Sequence, residues 1–399
     1  MMTLDASDPL GAFRDRFHLP EGMTYLDGNS LGALPRMTPD RLTRTIEREW
    51  GEGLVASWND PAWLDAPQRI GDKIARLIGA ADGEIVACDS TSINLFKLVM
   101  AAAEARPGAI IAEMDNFPTD AYIAGRAARL LGRPFHMVAG AAIAEAIDRD
   151  VAVAVITHVD YRTARRHDMA SINARAAVTG THVVWDLSHS AGAVPIDLAG
   201  DGATLAIGCG YKYLNGGPGA PAWLYVAAAL QPKLASPIAG WWAHDEPFAF
   251  ESEFVAAPGI SRFLAGTPPI LGLAALEEGV DLLLEADMDQ IQAKSVALFD
   301  LFAARTAASC PDLTLVSPTD ATRRGSHIAF RHPAAYPIIR ALAARGVVGD
   351  FRVPDIARFG LTPLMLRYQD VWTVTETIAA IMRDGDWRDP LYAQRNRVT

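Results

Sequence analysis

The residues best suited to chemistry are a lysine on a glycine-rich loop and an aspartate that ends an apolar run. Asp186 ends the run V-V-W-D, and Lys212 follows 26 residues later within G-Y-K-Y-L-N-G-G-P-G. A lysine amine can hold an aldehyde cofactor as a Schiff base, and a carboxylate can keep the pyridine nitrogen of such a cofactor protonated. The pair indicates pyridoxal phosphate, while a solvated lysine in a tight turn explains Lys212 alone equally well.

A cluster of hydroxyl side chains offers a place for an anion. The sequence D-S-T-S precedes an apolar helical pattern, and its Thr91 and Ser92 are candidates for binding a phosphate group. Free backbone N–H groups at the start of a helix bind anions, although plain capping of the helix by Ser90 or Ser92 accounts for the same residues. The glycine-rich phosphate loop G-x-x-x-x-G-K-[ST] is absent from the sequence.

Two turns carry further candidates. Phe117 precedes Pro118 in F-P-T-D, where the phenyl ring could stack on a cofactor and the proline suits the first turn of a helix. Asn29 and Ser30 lie between glycines in Y-L-D-G-N-S-L-G, for which a structural turn is the simpler interpretation.

Strands and helices alternate through the part of the chain that carries these residues. Strands are predicted at 109–113, 151–157, 182–186, 204–208 and 221–226. This alternation predicts a mostly parallel sheet with crossover helices. Ligands bind at the carboxyl ends of such strands, which is where Thr91, Asp186 and His189 fall.

The composition shifts beyond Pro268 and predicts a second, smaller domain. A helical stretch to about Ala307 is followed by strands at 313–316 and 326–330 and helices at 335–345 and 371–383. We expect an N-terminal segment at 1–45 that contributes to the small domain and the site, a large cofactor-binding domain at 46–267, and a small α+β domain at 268–399.

Bulk properties exclude several classes of function. The 399 residues are half hydrophobic with a net charge of −11 and no Lys/Arg-rich block, which argues against nucleic acid or a membrane as partner. The three cysteines have no metal-ligand spacing and are expected to be reduced core thiols, and no metal site is predicted. The N-terminus lacks the features of a signal peptide and no apolar run reaches membrane-spanning length, so a soluble cytoplasmic protein is expected.

Taken together, the motifs resemble the kynureninase family nearly from end to end. The resemblance rests on Y-L-D-G-N-S-L-G, E-W-G-E-G-L-V-A-S-W, D-S-T-S-I-N-L-F-K, F-P-T-D, D-L-S-H-S-A-G-A-V-P, G-Y-K-Y-L-N-G-G-P-G, G-W-W-A-H, G-T-P-P-I-L and A-R-F-G-L-T-P-L. It implies an α/β protein of pyridoxal-phosphate fold type I. It also implies hydrolysis of the Cβ–Cγ bond of L-kynurenine to anthranilate and L-alanine, in tryptophan catabolism and NAD biosynthesis.

The resemblance assigns roles residue by residue. Lys212 matches the Schiff-base lysine, Asp186 the partner of the pyridine nitrogen, and Arg358 the arginine that binds the substrate's α-carboxylate. Tyr211, beside the lysine, is the candidate for a proton transfer. The cofactor contacts match Thr91, Ser92, Phe117, Pro118, Thr119, Asp120, Asp186, His189, Tyr211, Lys212, Trp241 and Thr267. The substrate contacts match Asn29, Ser30, Trp58 and Arg358.

Two further expectations follow from the family. Trp241 and Thr267 are implied to come from the partner subunit, so a homodimer with shared sites is expected. Family members that prefer 3-hydroxykynurenine have histidine and asparagine at the positions of Trp58 and Thr267, so a preference for L-kynurenine is expected. Trp242 stands where many relatives have phenylalanine, which affects no catalytic assignment.

Two other functions compete with this one. A class-V aminotransferase or a cysteine desulfurase could share the fold, but none of the three cysteines lies in a loop typical of a desulfurase nucleophile. A non-catalytic binding protein is the other alternative. The joint presence of Lys212, Asp186 and Arg358 argues against it.

Overall fold

The computed structural model describes residues 2–59 and 63–395. The strands are β1 Thr24–Tyr25, β2 Ile85–Ala87, β3 Ala109–Glu113, β4 Phe135–Val138, β5 Val151–Thr157, β6 His182–Asp186, β7 Leu205–Gly208, β8 Trp223–Val226, β9 Thr314–Leu315, β10 His327–Arg331, β11 Val347–Val348, β12 Asp350–Arg352 and β13 Ile356–Gly360. The α-helices are α1 Met2–Ala6, α2 Thr38–Arg44, α3 Ala66–Ile78, α4 Thr91–Ala105, α5 Pro118–Leu130, α6 Ile143–Ala146, α7 Met169–Thr179, α8 Ile270–Leu284, α9 Met288–Ser309, α10 Ala335–Ala344, α11 Tyr368–Asp384 and α12 Pro390–Ala393.

The largest sheet has seven strands in the order β2-β8-β7-β6-β5-β3-β4. The strands β4, β3, β5, β6 and β7 pair in parallel, and β8 pairs antiparallel with β7 and β2. The predicted mostly parallel sheet is therefore confirmed. The register places Thr157, Asp186 and Ile207 side by side, so Asp186 lies at the carboxyl edge of the sheet.

Both faces of this sheet are buried, because the strands are apolar at every position rather than at alternate ones. Along β5, Val153 and Val155 pack in the core on one face, and Ala154 and Ile156 pack in the core on the other. Helices cover both faces, as a parallel sheet requires. The buried sheet supports the loops at the carboxyl ends of its strands.

The C-terminal part of the chain forms an antiparallel sheet in the order β12-β13-β10-β9, with its own apolar core. The predicted helical stretch beyond Pro268 consists of two helices, α8 and α9. The side chain of Asp287 caps α9 by accepting the N–H groups of Asp289 and Gln290. The N-terminal strand β1 pairs in parallel with β11, so the two ends of the chain meet. The domain limits at 45 and 267 stay a prediction.

Two other observations concern the chain as a whole. Cys88, Cys209 and Cys310 are buried and form no disulfide. Over the part of the chain that the structure describes, no helix combines the length and apolar character needed to cross a membrane.

Candidate active site

A cavity of about 360 Å³ opens at the carboxyl edge of the large sheet. The structure brings nine of the predicted cofactor residues to its wall: Thr91, Ser92, Phe117, Thr119, Asp120, Asp186, His189, Tyr211 and Lys212. Pro118 begins α5 beside Phe117. The individual roles of these residues stay predictions, but residues from six separate segments meet at one place.

Lys212 enters the cavity from a loop that glycine residues make possible. Its Nζ lies 3.0 Å from Nε2 of His189. The loop is covered by the N-terminal turn, where the N–H of Gly32 donates to the carbonyl oxygen of Tyr211 at 2.8 Å. A Cβ at Gly32 would lie 2.3 Å from the carbonyl oxygen of Lys212, so only glycine fits at this contact. The turn containing Asn29 and Ser30 therefore rests directly on the lysine loop.

Asp186 lines the same cavity as Lys212 and has a second carboxyl group as its neighbour. Its Oδ1 accepts the N–H of Ser188 at 2.8 Å. Burial, and then the negative charge of Asp186, raise the pKa of Asp120 well above its ordinary value. A protonated Asp120 can donate a hydrogen bond to Asp186, which leaves one negative charge at the base of the cavity. One charge is what a protonated pyridine nitrogen would need.

The phosphate candidates lie at the start of α4. Ser90 is the N-cap, and its Oγ accepts the N–H of Ile93 at 3.4 Å. Thr91 and Ser92 are the first helical residues, so their N–H groups have no partner within the helix. Both residues line the cavity, where free N–H groups and hydroxyls would fit a phosphate. The capping and phosphate-binding interpretations of the D-S-T-S cluster are thus compatible.

Arg358 is buried, does not line the cavity, and is already hydrogen-bonded within the protein. Its Nε donates to Oδ1 of Asp350 at 2.8 Å, and its Nη2 donates to Oγ of Ser30 at 2.9 Å and contacts Oδ2 of Asp350. Its Nη1 contacts the carbonyl oxygen of Tyr161, whose side chain lines the cavity. With its amide turned, Asn29 accepts from Arg358 Nε at 2.9 Å. The predicted substrate residues Asn29, Ser30 and Arg358 thus form one cluster.

Sequence reasoning missed Tyr161 and Asp350 in this cluster. Tyr161 also packs edge-on against Phe117, with ring centroids 5.3 Å apart. Burial alone would raise the pKa of Asp350, but the guanidinium of Arg358, followed by that of Arg352, lowers it to about 2. The D-F-R sequence before Pro354 could have indicated Asp350, because its alternating polar and apolar residues are typical of a strand in a short hairpin.

Two buried histidines lie between Lys212 and Arg358. The ring centroids of His189 and His327 are 5.8 Å apart. Burial, and then nearby cations, keep the pKa of each well below its ordinary value, so both rings are neutral. Within the described part of the chain, Nδ1 of His189 and both ring nitrogens of His327 have no hydrogen-bond partner. Buried polar atoms without partners beside a reactive lysine are what a site built for a polar ligand would show.

Trp58, Trp241 and Thr267 do not line this cavity. Trp58 packs against Trp63 and Trp242, with ring centroids 5.2 Å away in each case. Trp241 is 39% exposed, and Thr267 is exposed. The implied contribution of Trp241 and Thr267 to a partner's site stays a prediction.

The fold and the lysine-centred cavity define an enzyme of pyridoxal-phosphate fold type I. The structure is similar to a cysteine desulfurase from Thermococcus onnurineus NA1, with a TM-score of 0.81 over 94% of this chain and 98% of that one at 16% identity. It is also similar to a mutant of C-DES with glycine covalently linked to its PLP cofactor, with a TM-score of 0.81 over 92% and 98% at 16% identity. At 16% identity, these similarities show a shared fold and no more.

Sequence comparison identifies the family. A model described as the kynureninase C-terminal domain matches residues 291–378. The kynureninase of Burkholderia pseudomallei (strain K96243) is 47% identical over 100% of this chain and 98% of its own length, and that of Pseudomonas fluorescens is 44% identical over the same shares. The chain belongs to the kynureninase family.

Proposed function

We propose that this protein is a pyridoxal-phosphate-dependent hydrolase that cleaves the Cβ–Cγ bond of L-kynurenine to give anthranilate and L-alanine. The observation that carries the proposal is 47% identity over the full length with a protein named kynureninase, in a chain whose Lys212 and Asp186 line one cavity. Hydrolysis of this bond needs an electron sink, a group that accepts the proton of the α-carbon, and a proton donor. It also needs side chains that bind the amino and carboxylate groups of the substrate.

The residues of the cavity fit pyridoxal phosphate. Asp186 would face its pyridine nitrogen, Thr91 and Ser92 its phosphate, and Phe117 its ring, with Lys212 as the amine that attaches it. The remaining predicted contacts are Pro118, Thr119, Asp120 and His189. When bound, the cofactor supplies an electron sink for the negative charge that develops at the substrate's α-carbon.

Lys212 and Tyr211 would move the protons. The Nζ of Lys212 would accept the proton from the substrate's α-carbon once its amine is free. The neutral His189 ring, 3.0 Å away, orients that amine without adding charge. Burial raises the pKa of Tyr211 above its ordinary value, so its hydroxyl keeps its proton and can deliver it to the substrate carbon after bond cleavage.

The substrate's head group would bind at the Arg358 cluster. Asp350 pairs with the Nε and Nη2 edge of the guanidinium and fixes its orientation, so a substrate carboxylate would approach from the Nη1 side. Asn29 and Ser30 lie against the same guanidinium and complete the polar surface. Trp58 does not line the cavity of the single chain, so its apolar contact with the substrate's aromatic ring is proposed for the complete dimer.

The homodimer is part of the same proposal. Trp241 lies among exposed aromatic side chains, with Phe248 and Phe250 at centroid distances of 5.8 and 6.3 Å. Such a patch is unusual on a free surface and suits a subunit interface. Trp241 and Thr267 of the partner subunit would then complete the cofactor site. A cytoplasmic location is also proposed, since three buried unpaired thiols suit a reducing compartment.

The experiment is to mix purified protein, pyridoxal phosphate and L-kynurenine and to follow anthranilate by its fluorescence. We expect anthranilate and L-alanine in equal amounts. L-Cysteine, with sulfide as readout, tests the desulfurase alternative, and a 2-oxo acid acceptor tests the aminotransferase. A protein that binds the cofactor yet releases only sulfide, or only transaminates, would overturn the proposal.

A further inference from the structure

Lys97 is a fully buried lysine that the proposed chemistry does not use. It ends the motif D-S-T-S-I-N-L-F-K and projects from the second turn of α4 into the core. Its Nζ pairs with the carboxylate of Asp89 and donates to the carbonyl oxygen of Phe263 at 2.5 Å. A lysine is almost never fully buried unless its charge has partners, so these contacts define its place.

Asp89 stands at the phosphate end of the cavity. It directly precedes the N-cap Ser90, and its side chain lines the same cavity as Thr91 and Ser92. Its side chain is 26% exposed, in contrast with that of Lys97 at 0%. An acidic group at this position opposes the binding of a phosphate unless its charge is balanced.

The turn before α4 is held from inside by the helix itself. Asp89 has a φ of 49°, a left-handed conformation that is uncommon for residues other than glycine. Nδ2 of Asn94 donates to the carbonyl oxygen of Cys88 at 2.8 Å, and the N–H of Ala222 donates to that of Asp89 at 3.0 Å. The backbone of Asp89 is thus held on both sides, and its carboxylate is held by the ion pair with Lys97, which balances its charge from the core side.

We propose that Lys97 is a positioning residue for the cofactor's phosphate, which it serves by neutralising Asp89 from inside the core. It touches neither the cofactor nor the substrate. Its effect reaches the phosphate through the Asp89 carboxylate, and it should be absent for a ligand that has no phosphate. This inference rests on the proposed binding of pyridoxal phosphate.

The test compares two ligands in the full-length protein freed of cofactor. Dissociation constants for pyridoxal phosphate and for pyridoxal, which lacks the phosphate, are measured by absorbance titration in the wild type and in Lys97→Met. We expect Lys97→Met to weaken pyridoxal phosphate by about tenfold, because it leaves one negative charge unbalanced beside the phosphate. Binding of pyridoxal should change less than about twofold.

Lys294→Met is the matched control. Lys294 is also buried, and its Nζ also pairs with an aspartate, Asp8 at 2.6 Å, and with a backbone carbonyl, that of Pro363 at 2.6 Å. Both substitutions should lower the midpoint of thermal unfolding. Only Lys97→Met should weaken the binding of pyridoxal phosphate more than that of pyridoxal. When Lys97→Met is made together with Asp89→Asn, this difference between the two ligands should disappear.

Each outcome decides the point. Equal weakening of both ligands by Lys97→Met, or no weakening, would overturn the role of Lys97. If Lys97→Met does not fold, Asp89→Asn replaces it and should bind pyridoxal phosphate at least as tightly as the wild type, so a tenfold loss there would also overturn the role. A wild type that binds no pyridoxal phosphate would instead refute the proposed function.

Discussion

The two proposed anion sites, a phosphate end at the start of α4 and a carboxylate end at Arg358, are built by different means. At the phosphate end, the donors are the N–H groups and hydroxyls of Thr91 and Ser92, which belong to one continuous segment and face the cavity. At the carboxylate end, Arg358 is 1% exposed and its donors already serve Asp350, Ser30 and the carbonyl of Tyr161. The first end is assembled by local structure, and the second by segments far apart in the chain.

This difference predicts how binding at each end should respond to amino-acid substitution. A helix start offers several equivalent donors, so the loss of any one is partly compensated. The guanidinium of Arg358 offers one geometry, which Asp350 determines. The carboxylate end should therefore be the more sensitive to substitution and to charge.

The largest effect is expected between the two ends, at Lys212. Lys212→Ala should abolish anthranilate formation, by at least about a thousandfold, because it removes both the attachment point and the proton acceptor. The wild-type absorbance band of the bound cofactor should vanish on borohydride reduction. Lys233→Ala, at an exposed position, is the control. Near-native turnover in Lys212→Ala would refute the assignment.

The next effect is at the carboxylate end alone. Arg358→Lys should lower kcat/KM for L-kynurenine by about ten- to a hundredfold, mainly through KM, since a lysine cannot make the paired hydrogen bonds of a guanidinium. Affinity for pyridoxal phosphate should stay within about twofold. Arg324→Lys, at another buried arginine that pairs with an aspartate, controls for stability. Loss of cofactor affinity with an unchanged KM would contradict the contrast between the ends.

A smaller effect concerns the substrate's aromatic ring. If Trp58 contacts the substrate's ring as proposed, its apolar face would leave a ring hydroxyl without a partner, which costs roughly 1–3 kcal/mol. The wild type should therefore favour L-kynurenine over 3-hydroxykynurenine in kcat/KM by about tenfold or more. The double substitution Trp58→His with Thr267→Asn should narrow this ratio. Equal kcat/KM values for the two substrates in the wild type would end the idea.

The smallest effect is a dependence on pH at the carboxylate end. Burial, and then the charge of Asp350, raise the pKa of Asp27 to about 7. A carboxyl group whose pKa is raised on folding stabilises the folded state fully below its unfolded pKa of about 4 and loses that contribution as pH rises through about 7. Asp27→Asn should flatten the pH dependence of the free energy of unfolding over this window.

The same ionisation should affect the substrate. Above pH 7, Asp27 places a negative charge beside Arg358, so KM for L-kynurenine should rise by a few fold in the wild type but not in Asp27→Asn. Affinity for pyridoxal phosphate, set at the other end, should not follow Asp27. Identical pH profiles of KM in the two proteins would exclude the role of Asp27.

The sequence predicted the residues that belong to one short segment and missed those that distant segments bring together. Asp186 and the phosphate candidates were predictable because each follows a recognisable strand or precedes a helix within one short segment. Tyr161 was not, because its carbonyl meets Arg358 across 197 positions of sequence. His327 gave no sign of its place beside His189, because it shows no ligand spacing and lies far from His189 in the sequence.

The pairing of β1 with β11 joins distant parts of the chain and should therefore form late in folding. Oγ of Ser30 binds Asp350 across 320 positions, so in a refolding chain this contact closes a much longer loop than the pairing of β5 with β6 and should form later. The large sheet and Lys212 can fold in the interval, but the turn that covers the lysine loop must wait. In refolding followed by pulsed hydrogen exchange, the amide of Gly32 should gain protection after those of β5 and β6. The protein should therefore become able to hold its cofactor before it becomes able to hold its substrate.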